Sequence, residues 1–195
     1  MRIVSIVYRR PDLAELQKAA VAEYYPEAQH LLAVTPGGCV KADIQVPAKV
    51  GPKENILPRA YFNALEHVME AFPTGDLMVM EADVLPIATP PPELIESGFC
   101  PGDGPSYWPT PVYMPAGKRA RIRGNLMGSR DGGSLSILTR VSTVRMVSFV
   151  EYIGNDLGEF FIHLRGGDGS VSKPEMVAAR KKIYTDLSTR YGVTA

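Results

Sequence analysis

The stretch GDLMVMEADVLP, residues 75–86, decides the fold prediction for this chain. Its short apolar run is typical of a buried strand, and two carboxylates, Glu81 and Asp83, stand where that strand ends. Side chains alternate along extended backbone, so Glu81 and Asp83 are predicted to project on one side while Ala82 points away. Open α/β sheets bind ligands outside the carboxyl ends of their strands. The position of this acidic pair therefore favours a ligand site.

Two carboxylates on one side of a strand end are suitable oxygen ligands for Mg²⁺ or Mn²⁺, which in turn can hold a diphosphate. The alternative is that Asp83 caps a turn and Glu81 is a solvated strand end. The pair alone leaves both interpretations open.

The sequence around this stretch alternates between strand and helix patterns. The expected elements are strands over residues 3–8, 31–35 and 77–81 and helices over residues 13–24 and 58–72, with Asp12 as the N-cap of the first helix. This order is typical of right-handed crossover units and predicts an α/β fold with a mostly parallel central sheet.

The middle of the chain is rich in proline and glycine and contains the only tryptophan, Trp108. We expect turns, edge strands and a covering loop there. Residues 107–114 and 120–127 are predicted to pair as a hairpin with residues 115–117 at its tip. A strand and a helix are expected over residues 136–153, and a last helix over residues 174–191.

Bulk properties indicate one ordinary globular domain. The chain has 195 residues, of which 45% are hydrophobic and 22% charged. Lys plus Arg and Asp plus Glu number 21 each, so net charge favours neither a nucleic-acid coat protein nor a membrane-surface protein. Two cysteines form neither a disulfide framework nor a zinc site. No signal peptide or membrane-length apolar run is present, and a cytoplasmic location is expected.

Three features of the first 90 residues occur together. VSIVYRRP (residues 4–11) precedes a helix and a Tyr-Pro break, KEN (residues 53–55) precedes a helix containing Arg59 and Asn63, and the strand after Gly75 ends in the acidic pair. In this combination the chain resembles nucleotide-sugar glycosyltransferases of the GT-A fold, whose acidic metal-binding motif is usually Asp-x-Asp. After residue 90 only fragments match, as expected of a family whose acceptor half varies.

The resemblance implies one Rossmann-like domain over residues 1–195, with residues 1–90 binding the nucleotide sugar and residues 91–195 forming the acceptor half and C-terminal helix. It implies transfer of a sugar from a nucleoside-diphosphate sugar with Mn²⁺ or Mg²⁺, which neutralises the departing phosphates. The donor-binding residues implied are Val7, Tyr8, Arg9, Lys53, Asn55, Arg59, Glu81 and Asp83. For each cation the alternative is a solvated surface side chain. Glu81 departs from the usual Asp, so Asp83 is the favoured metal ligand, with Glu81 supporting it.

Two later segments resemble further parts of the family's site. In GNDLGE (residues 154–159), Asp156 resembles the base of inverting members, with Glu159 second, while Asp156 fits a helix N-cap equally well. In FFIHLRGGDG (residues 160–169), His163 resembles a late histidine that meets the metal. The alternative is a hydrogen-bonded core histidine, and a helix over residues 157–165 would direct His163 elsewhere.

The acceptor half carries a local basic bias. Residues 118–145 hold seven basic side chains against one acid, Asp131, and aromatic residues stand just upstream. Arg119, Arg121 and Arg123 with Trp108 suit a nucleic acid, since cations hold phosphates while rings stack on bases. The chain also resembles small bacteriophage transferases that decorate hydroxymethylated bases in DNA, so DNA in the host cytoplasm is the leading acceptor hypothesis. The alternatives are a saccharide or glycan acceptor, with Trp108 stacking on a sugar ring, and arginines that only solvate an edge hairpin.

Two other functions remain open from the sequence. One is a nucleotide or nucleic-acid binding module without turnover, and the other is a nucleotidyltransferase, which also uses paired acids and a metal. The sequence contains no P-loop motif, no Gly-x-Gly-x-x-Gly after the first strand and no Gly-x-Ser-x-Gly elbow. These absences disfavour P-loop nucleotide hydrolases, dinucleotide enzymes and α/β-hydrolases.

Overall fold

The structure of the protein is a computed structural model that describes residues 1–38, 40–48, 59–101, 110–120, 122–123, 145–147, 160–164 and 174–193. Within these ranges the strands are β1 (Arg2–Val7), β2 (Gln29–Val34), β3 (Ile44–Gln45), β4 (Leu77–Glu81), β5 (Val84–Pro86), β6 (Phe99–Pro101), β7 (Val112–Met114), β8 (Arg145–Val147) and β9 (Phe161–His163). The helices are α1 (Pro11–Tyr24), α2 (Arg59–Ala71), α3 (Pro92–Ser97) and α4 (Pro174–Tyr191), with a short 3₁₀ turn at Ala116–Lys118.

A central sheet joins seven of these strands in the order β3-β2-β1-β4-β7-β6-β8, and β5 and β9 form a separate pair. β1 pairs in parallel with β2 on one side and with β4 on the other, and β2 pairs in parallel with β3. β7 pairs with β4 in the antiparallel sense. The predicted α/β fold with a mostly parallel central sheet is confirmed.

The register of the sheet brings the ends of β1 and β4 together. Ile6 of β1 lies opposite Glu81 of β4, so the loops that follow these two strands leave the sheet at the same edge. The Ala82 N–H continues this ladder by donating to the carbonyl of Ile6 at 3.1 Å. The acidic pair therefore lies beside the segment that follows β1, as ligand sites of open α/β sheets do.

Helices cover both faces of the sheet, and strand alternation decides which side chain meets which helix. On one face, Val4, Ile6, Leu77 and Val79 form a core cluster with Tyr61, Ala64, Leu65, Val68 and Met69 of α2. On the other face, Ile3, Met78 and Met80 cluster with Val21, and Val7 and Val34 cluster with Leu13, Leu16 and Ala20 of α1. The apolar spacing that predicted both helices is thus explained by their burial.

The start of α1 differs from the prediction. Arg10 is the N-cap residue and Pro11 occupies the first turn, so Asp12 lies inside the helix, and its predicted role as the N-cap is wrong. The Asp12 carboxylate accepts hydrogen bonds from Arg10 at 2.9 and 2.6 Å and from the Tyr184 hydroxyl of α4 at 2.8 Å. These bonds, with Arg10 first, lower the pKa of Asp12 from 3.8 to about 2. The carboxylate therefore joins α4 to the start of α1.

The predicted hairpin over residues 107–127 is wrong for the part that the structure describes. After β7 the chain enters the 3₁₀ turn, and residues 119–120 and 122–123 are helical. Pro115 begins this segment, with the Lys118 N–H donating to its carbonyl at 2.9 Å, and Ile122 is buried in the α2 core cluster. Burial of Ile122 favours the helical turn, while β7 pairs with β4 and β6 instead. Of the strand and helix expected over residues 136–153, only β8 lies within the described residues.

Candidate functional site

The two acids lie at the end of β4 and in the turn that follows it, close to a third polar side chain. β4 ends at Glu81, residues 82–83 form a turn, and β5 begins at Val84. β5 pairs with β9 so that Val84 lies opposite His163, and the Leu164 N–H donates to the Asp83 carbonyl at 2.8 Å. Because residue 163 lies in a strand, the helix that would have directed His163 elsewhere is excluded.

Glu81, Asp83 and His163 form a cluster with the size of a cation site. One ligand atom from each lies within 4.8 Å of the others, and His163 Nε2 is 3.3 Å from Asp83 Oδ2. An octahedral ion with bonds of about 2.1 Å separates adjacent ligands by about 3 Å and opposite ones by about 4 Å. The His163 side chain is 7% exposed and that of Asp83 17%, so the cluster is shielded from water on most sides. The 3.3 Å pair has the spacing of adjacent ligands, and a small side-chain shift would bring a separation of up to 4.8 Å to that of opposite ligands, so two carboxylates and an imidazole nitrogen could hold a divalent cation here.

Two tyrosines stand beside the acids. Burial raises the pKa of Tyr8, which follows β1, and the charge of Glu81 raises it further. The Tyr8 hydroxyl has no hydrogen-bond partner within the described part of the chain. Burial also raises the pKa of Tyr61 of α2, followed by the charges of Glu81 and Tyr8. Both phenols are therefore held neutral next to an acidic cluster.

The remaining residues predicted after β1 differ in exposure. Val7 is buried in the core, and its carbonyl accepts hydrogen bonds from the N–H and hydroxyl of Thr35 at 3.1 and 3.2 Å. Arg9 is exposed at the same edge of the sheet. Exposure therefore increases along this segment, from the buried Val7 through the half-buried Tyr8 to the exposed Arg9.

Two of the three arginines predicted to bind the acceptor contact the protein itself. Arg119 is 5% exposed and donates to the carbonyls of Thr74 and Gly75 at 2.9 and 2.7 Å. Burial lowers the pKa of Arg119, and the charges of Arg2 and Arg123 lower it further. Arg123 forms an ion pair of 3.3 Å with Glu70. Thr74 and Gly75 precede β4, so Arg119 is anchored about 20 Å along the strand from the acidic turn that follows it.

Several predicted site residues lie outside the described residues: Lys53, Asn55, Trp108, Arg121, Asp156 and Glu159. Arg59 is the first residue of α2, and only its backbone is described. The structure therefore brings together Glu81, Asp83 and His163 of the predicted set, with Tyr8 beside Glu81 and Arg9 exposed after β1.

The sequence-based prediction missed Gln17 and Thr110, which bind the backbone of the acidic turn. Gln17 donates to the carbonyls of Glu81 and Val84, and Thr110 accepts the N–H of Glu81. One signal for Gln17 was available, since it lies four residues after Leu13 on the buried stripe of α1. No comparable signal marks Thr110, which is brought to Glu81 by the pairing of β4 with β7.

Comparison with known proteins identifies the fold. No protein-family model and no curated protein sequence match this chain. Its structure is similar to that of an active-site mutant of LgtC, with a TM-score of 0.53, 11% identity and coverage of 97% of this chain and 96% of LgtC. It is also similar to the galactosyltransferase LgtC in complex with donor and acceptor sugar analogues, with a TM-score of 0.52, 10% identity and coverage of 100% and 97%.

A third similar structure is the glycosyltransferase GlyE of Streptococcus pneumoniae TIGR4, with a TM-score of 0.52 and 8% identity. The alignment covers 98% of this chain and 62% of GlyE, so the chain spans less than two thirds of that protein. These similarities confirm the predicted GT-A-like fold. Within the described residues, no helix combines the length and apolar character needed to cross a membrane.

Proposed function

We propose that this protein is a metal-dependent glycosyltransferase that uses a nucleoside-diphosphate sugar as its donor. The observation that carries the proposal is the Glu81, Asp83 and His163 cluster at the carboxyl ends of β1 and β4 in a GT-A-like fold. The similar structure of LgtC was obtained with donor and acceptor sugar analogues, which supports a sugar-transfer reaction for the fold.

Asp83 and His163 would hold the cation most directly, and Glu81 would complete the set. Carboxylate oxygens suit Mg²⁺ and Mn²⁺, whereas imidazole suits transition metals, so the mixed set favours Mn²⁺. When bound, the cation would neutralise negative charge on the departing diphosphate. The residues of this chain would then orient the donor around the bound cation.

The segment after β1 is suited to holding the nucleotide. The Tyr8 ring offers an apolar face beside Glu81, and the exposed Arg9 offers a cation for phosphate oxygens. Lys53, Asn55 and Arg59 remain proposed donor contacts. Asp156, with Glu159 second, remains the proposed base for the acceptor hydroxyl.

For the acceptor, the observations favour a saccharide hydroxyl over DNA. Arg119 and Arg123 are engaged with backbone carbonyls and with Glu70, which leaves less free positive charge for phosphates than the sequence suggested. A hydroxymethylated base in bacteriophage DNA remains the second candidate acceptor, carried by Trp108 and Arg121. Incubating the enzyme and its donor with a free saccharide or with hydroxymethylated duplex DNA would decide between the two.

Donor binding is tested by thermal unfolding of the protein with UDP, GDP, CDP and dTDP and their sugar conjugates, each with Mn²⁺ or with EDTA. A ligand that binds only the folded state raises the melting temperature with its occupancy. We expect one nucleotide to give a Mn²⁺-dependent increase in the wild type. Asp83→Ala should lose this increase and still fold, while Asp186→Ala, at an exposed position of α4, should retain it.

A flat panel from a protein that melts cooperatively would contradict the donor assignment and favour a binding module. Wild-type-like binding by Asp83→Ala would contradict the metal assignment alone. The nucleotidyltransferase alternative is separated by products, since it releases diphosphate from a nucleoside triphosphate, whereas the transferase releases a nucleoside diphosphate from the sugar donor.

A further inference from the structure

Gln17 holds both ends of the turn that carries Glu81 and Asp83. It is fully buried on α1, and its Nε2 donates to the carbonyl of Glu81 at 2.6 Å and also to the carbonyl of Val84. These two carbonyls flank the turn, so one amide group fixes the separation between the end of β4 and the start of β5.

Thr110 binds the same turn from the side of β7. It is fully buried just before β7, and its Oγ1 accepts the N–H of Glu81 at 2.8 Å. The hydroxyl of Tyr61 of α2 is hydrogen-bonded to the Thr110 side chain. The backbone of Glu81 is therefore held at its N–H by Thr110 and at its carbonyl by Gln17.

Two further backbone contacts join the turn to the ends of β1 and β9. The Ala82 N–H donates to Ile6 at the end of β1, and the Asp83 carbonyl accepts from Leu164 after β9. Together with the bonds to Gln17 and Thr110, these contacts restrict the direction in which the Asp83 carboxylate can point toward His163.

Gln17 is an unfavourable choice if its role were only to fill the core. It lies on the buried stripe of α1 between Leu13 and Ala20, where an apolar side chain would pack without a buried polar group. Its Oε1 has no hydrogen-bond partner among the described residues. Gln17 thus donates two hydrogen bonds to the acidic turn, although its buried Oε1 has no partner among the described residues.

We propose that Gln17 and Thr110 are positioning residues for the Glu81, Asp83 and His163 cluster, and that its affinity for a divalent cation depends on them although neither contacts the ion. The inference rests on the proposed function, since it assumes that the cluster binds a metal. Partners in the second layer of a metal site change metal affinity by about 10- to 100-fold when they are removed.

The test measures Mn²⁺ affinity directly, from the electron paramagnetic resonance signal of free Mn²⁺, which falls as the ion binds. Gln17→Met keeps the length of the side chain and removes both donated bonds. Thr110→Val removes the acceptor for Glu81, while Thr110→Ser keeps it. The control is Val68→Ala, which leaves a cavity in the α2 core cluster and removes no contact to the turn.

We expect Gln17→Met and Thr110→Val to weaken Mn²⁺ binding by about tenfold or more. Thr110→Ser should stay within about threefold of the wild type, since it keeps the hydroxyl, and Val68→Ala should melt at a lower temperature with unchanged affinity. If Gln17→Met does not fold, the comparison of Thr110→Val with Thr110→Ser tests the positioning role by itself.

Wild-type Mn²⁺ affinity in folded Gln17→Met and Thr110→Val would overturn the positioning role and leave the metal site intact. Equal losses in Val68→Ala would also overturn it, because affinity would then follow general stability. Absence of Mn²⁺ binding in the wild type would instead overturn the metal site itself, and the positioning role with it.

Discussion

Single residues account for the chemistry of the candidate site. Asp83 and His163 approach to 3.3 Å with little exposure, and Glu81 completes the group from the end of β4. In the proposed metal site, removing one of these side chains would leave an incomplete set of ligands. Substitutions at these positions should therefore affect ligand binding more than folding.

If His163 is a direct ligand as proposed, His163→Gln should weaken Mn²⁺ binding by about 100-fold or more, because this loss should exceed the roughly 10- to 100-fold effects of outer partners. The measurement is a Mn²⁺ titration with melting temperature recorded alongside. His67→Gln, on α2, is the matched control and should bind Mn²⁺ like the wild type. Unchanged affinity in His163→Gln would show that His163 only pairs with Asp83.

We expect His30 to make the free energy of unfolding depend on pH. Its Nε2 shares a hydrogen bond of 2.7 Å with the buried Ser5 hydroxyl in β1. Burial lowers the pKa of His30 from 6.5 to about 4, with the charge of Lys18 lowering it further and that of Asp43 opposing. The folded state thus binds this proton more weakly than the unfolded chain. The associated stability is present above about pH 6.5 and is lost as the pH falls toward 4.

We expect the wild type to lose about 2 kcal/mol through His30 between neutral pH and about pH 4.5, and His30→Gln to lack this part of the loss. Urea unfolding of both proteins at the two pH values measures it. Parallel losses in the two proteins would contradict the assignment, since other groups would then carry the pH dependence.

At the scale of elements, close packing determines the conformation of the turn between α3 and β6. α3 ends at Ser97 and is followed by Gly98, whose φ of +74° belongs to the left-handed region that side chains disfavour. A Cβ at this position would lie 2.8 Å from Cδ of Pro115 and 3.0 Å from the carbonyl oxygen of Tyr113. The turn from α3 into β6 therefore passes against the end of β7 with no room for a side chain.

Gly98→Ala should destabilise the protein by at least about 1 kcal/mol, because left-handed strain and the close contacts add. Gly117→Ala is the control, since a Cβ there meets nothing within 4 Å, and its effect should stay within about 0.5 kcal/mol. Chemical unfolding of the two variants checks the difference. Equal stability of the two would contradict the close packing of α3 against β7.

At the scale of the whole molecule, helices cover both faces of the sheet whose strand ends form the candidate site. α2 closes one face through Leu65, which is fully buried. α4 packs against α1 through half-buried side chains such as Leu187, together with the Tyr184 and Asp12 contact. The two helices should therefore contribute unequally to the free energy of unfolding.

We expect Leu65→Ala to cost about 2–5 kcal/mol, since it leaves a cavity between α2 and the sheet. Leu187→Ala should cost roughly half as much or less, because its side chain is partly solvated in the folded state. Urea unfolding with a common slope compares the two. A larger loss for Leu187→Ala would place the stabilising core at α4 instead of α2.

Local structure in this protein follows from patterns in its sequence. The apolar run at residues 77–81 forms β4, and the pattern over residues 58–72 corresponds to α2. The predicted pair Glu81 and Asp83 lies in one cation-sized cluster. Hydrophobic periodicity reports the local backbone and its buried side, and these follow from residues a few positions apart. For the same reason the alternation of elements was enough to predict a mostly parallel sheet.

The errors arose where contacts between distant segments outweighed local preference. The residues after β7 form a helical turn because Ile122 is buried against α2. Asp12 does not cap α1 and instead accepts hydrogen bonds from Arg10 and Tyr184. No periodic pattern contains that information. It depends on which surfaces meet once the sheet has formed.

The sequence by itself determined the α/β order of the elements and the acidic pair at the end of β4. Only the tertiary structure decided that His163 joins the pair and that Gln17 and Thr110 hold its turn, because these contacts cross 80, 64 and 29 positions of the chain. Strand pairing and register set such contacts. Both depend on the packing of the whole sheet, which no local pattern of residues records.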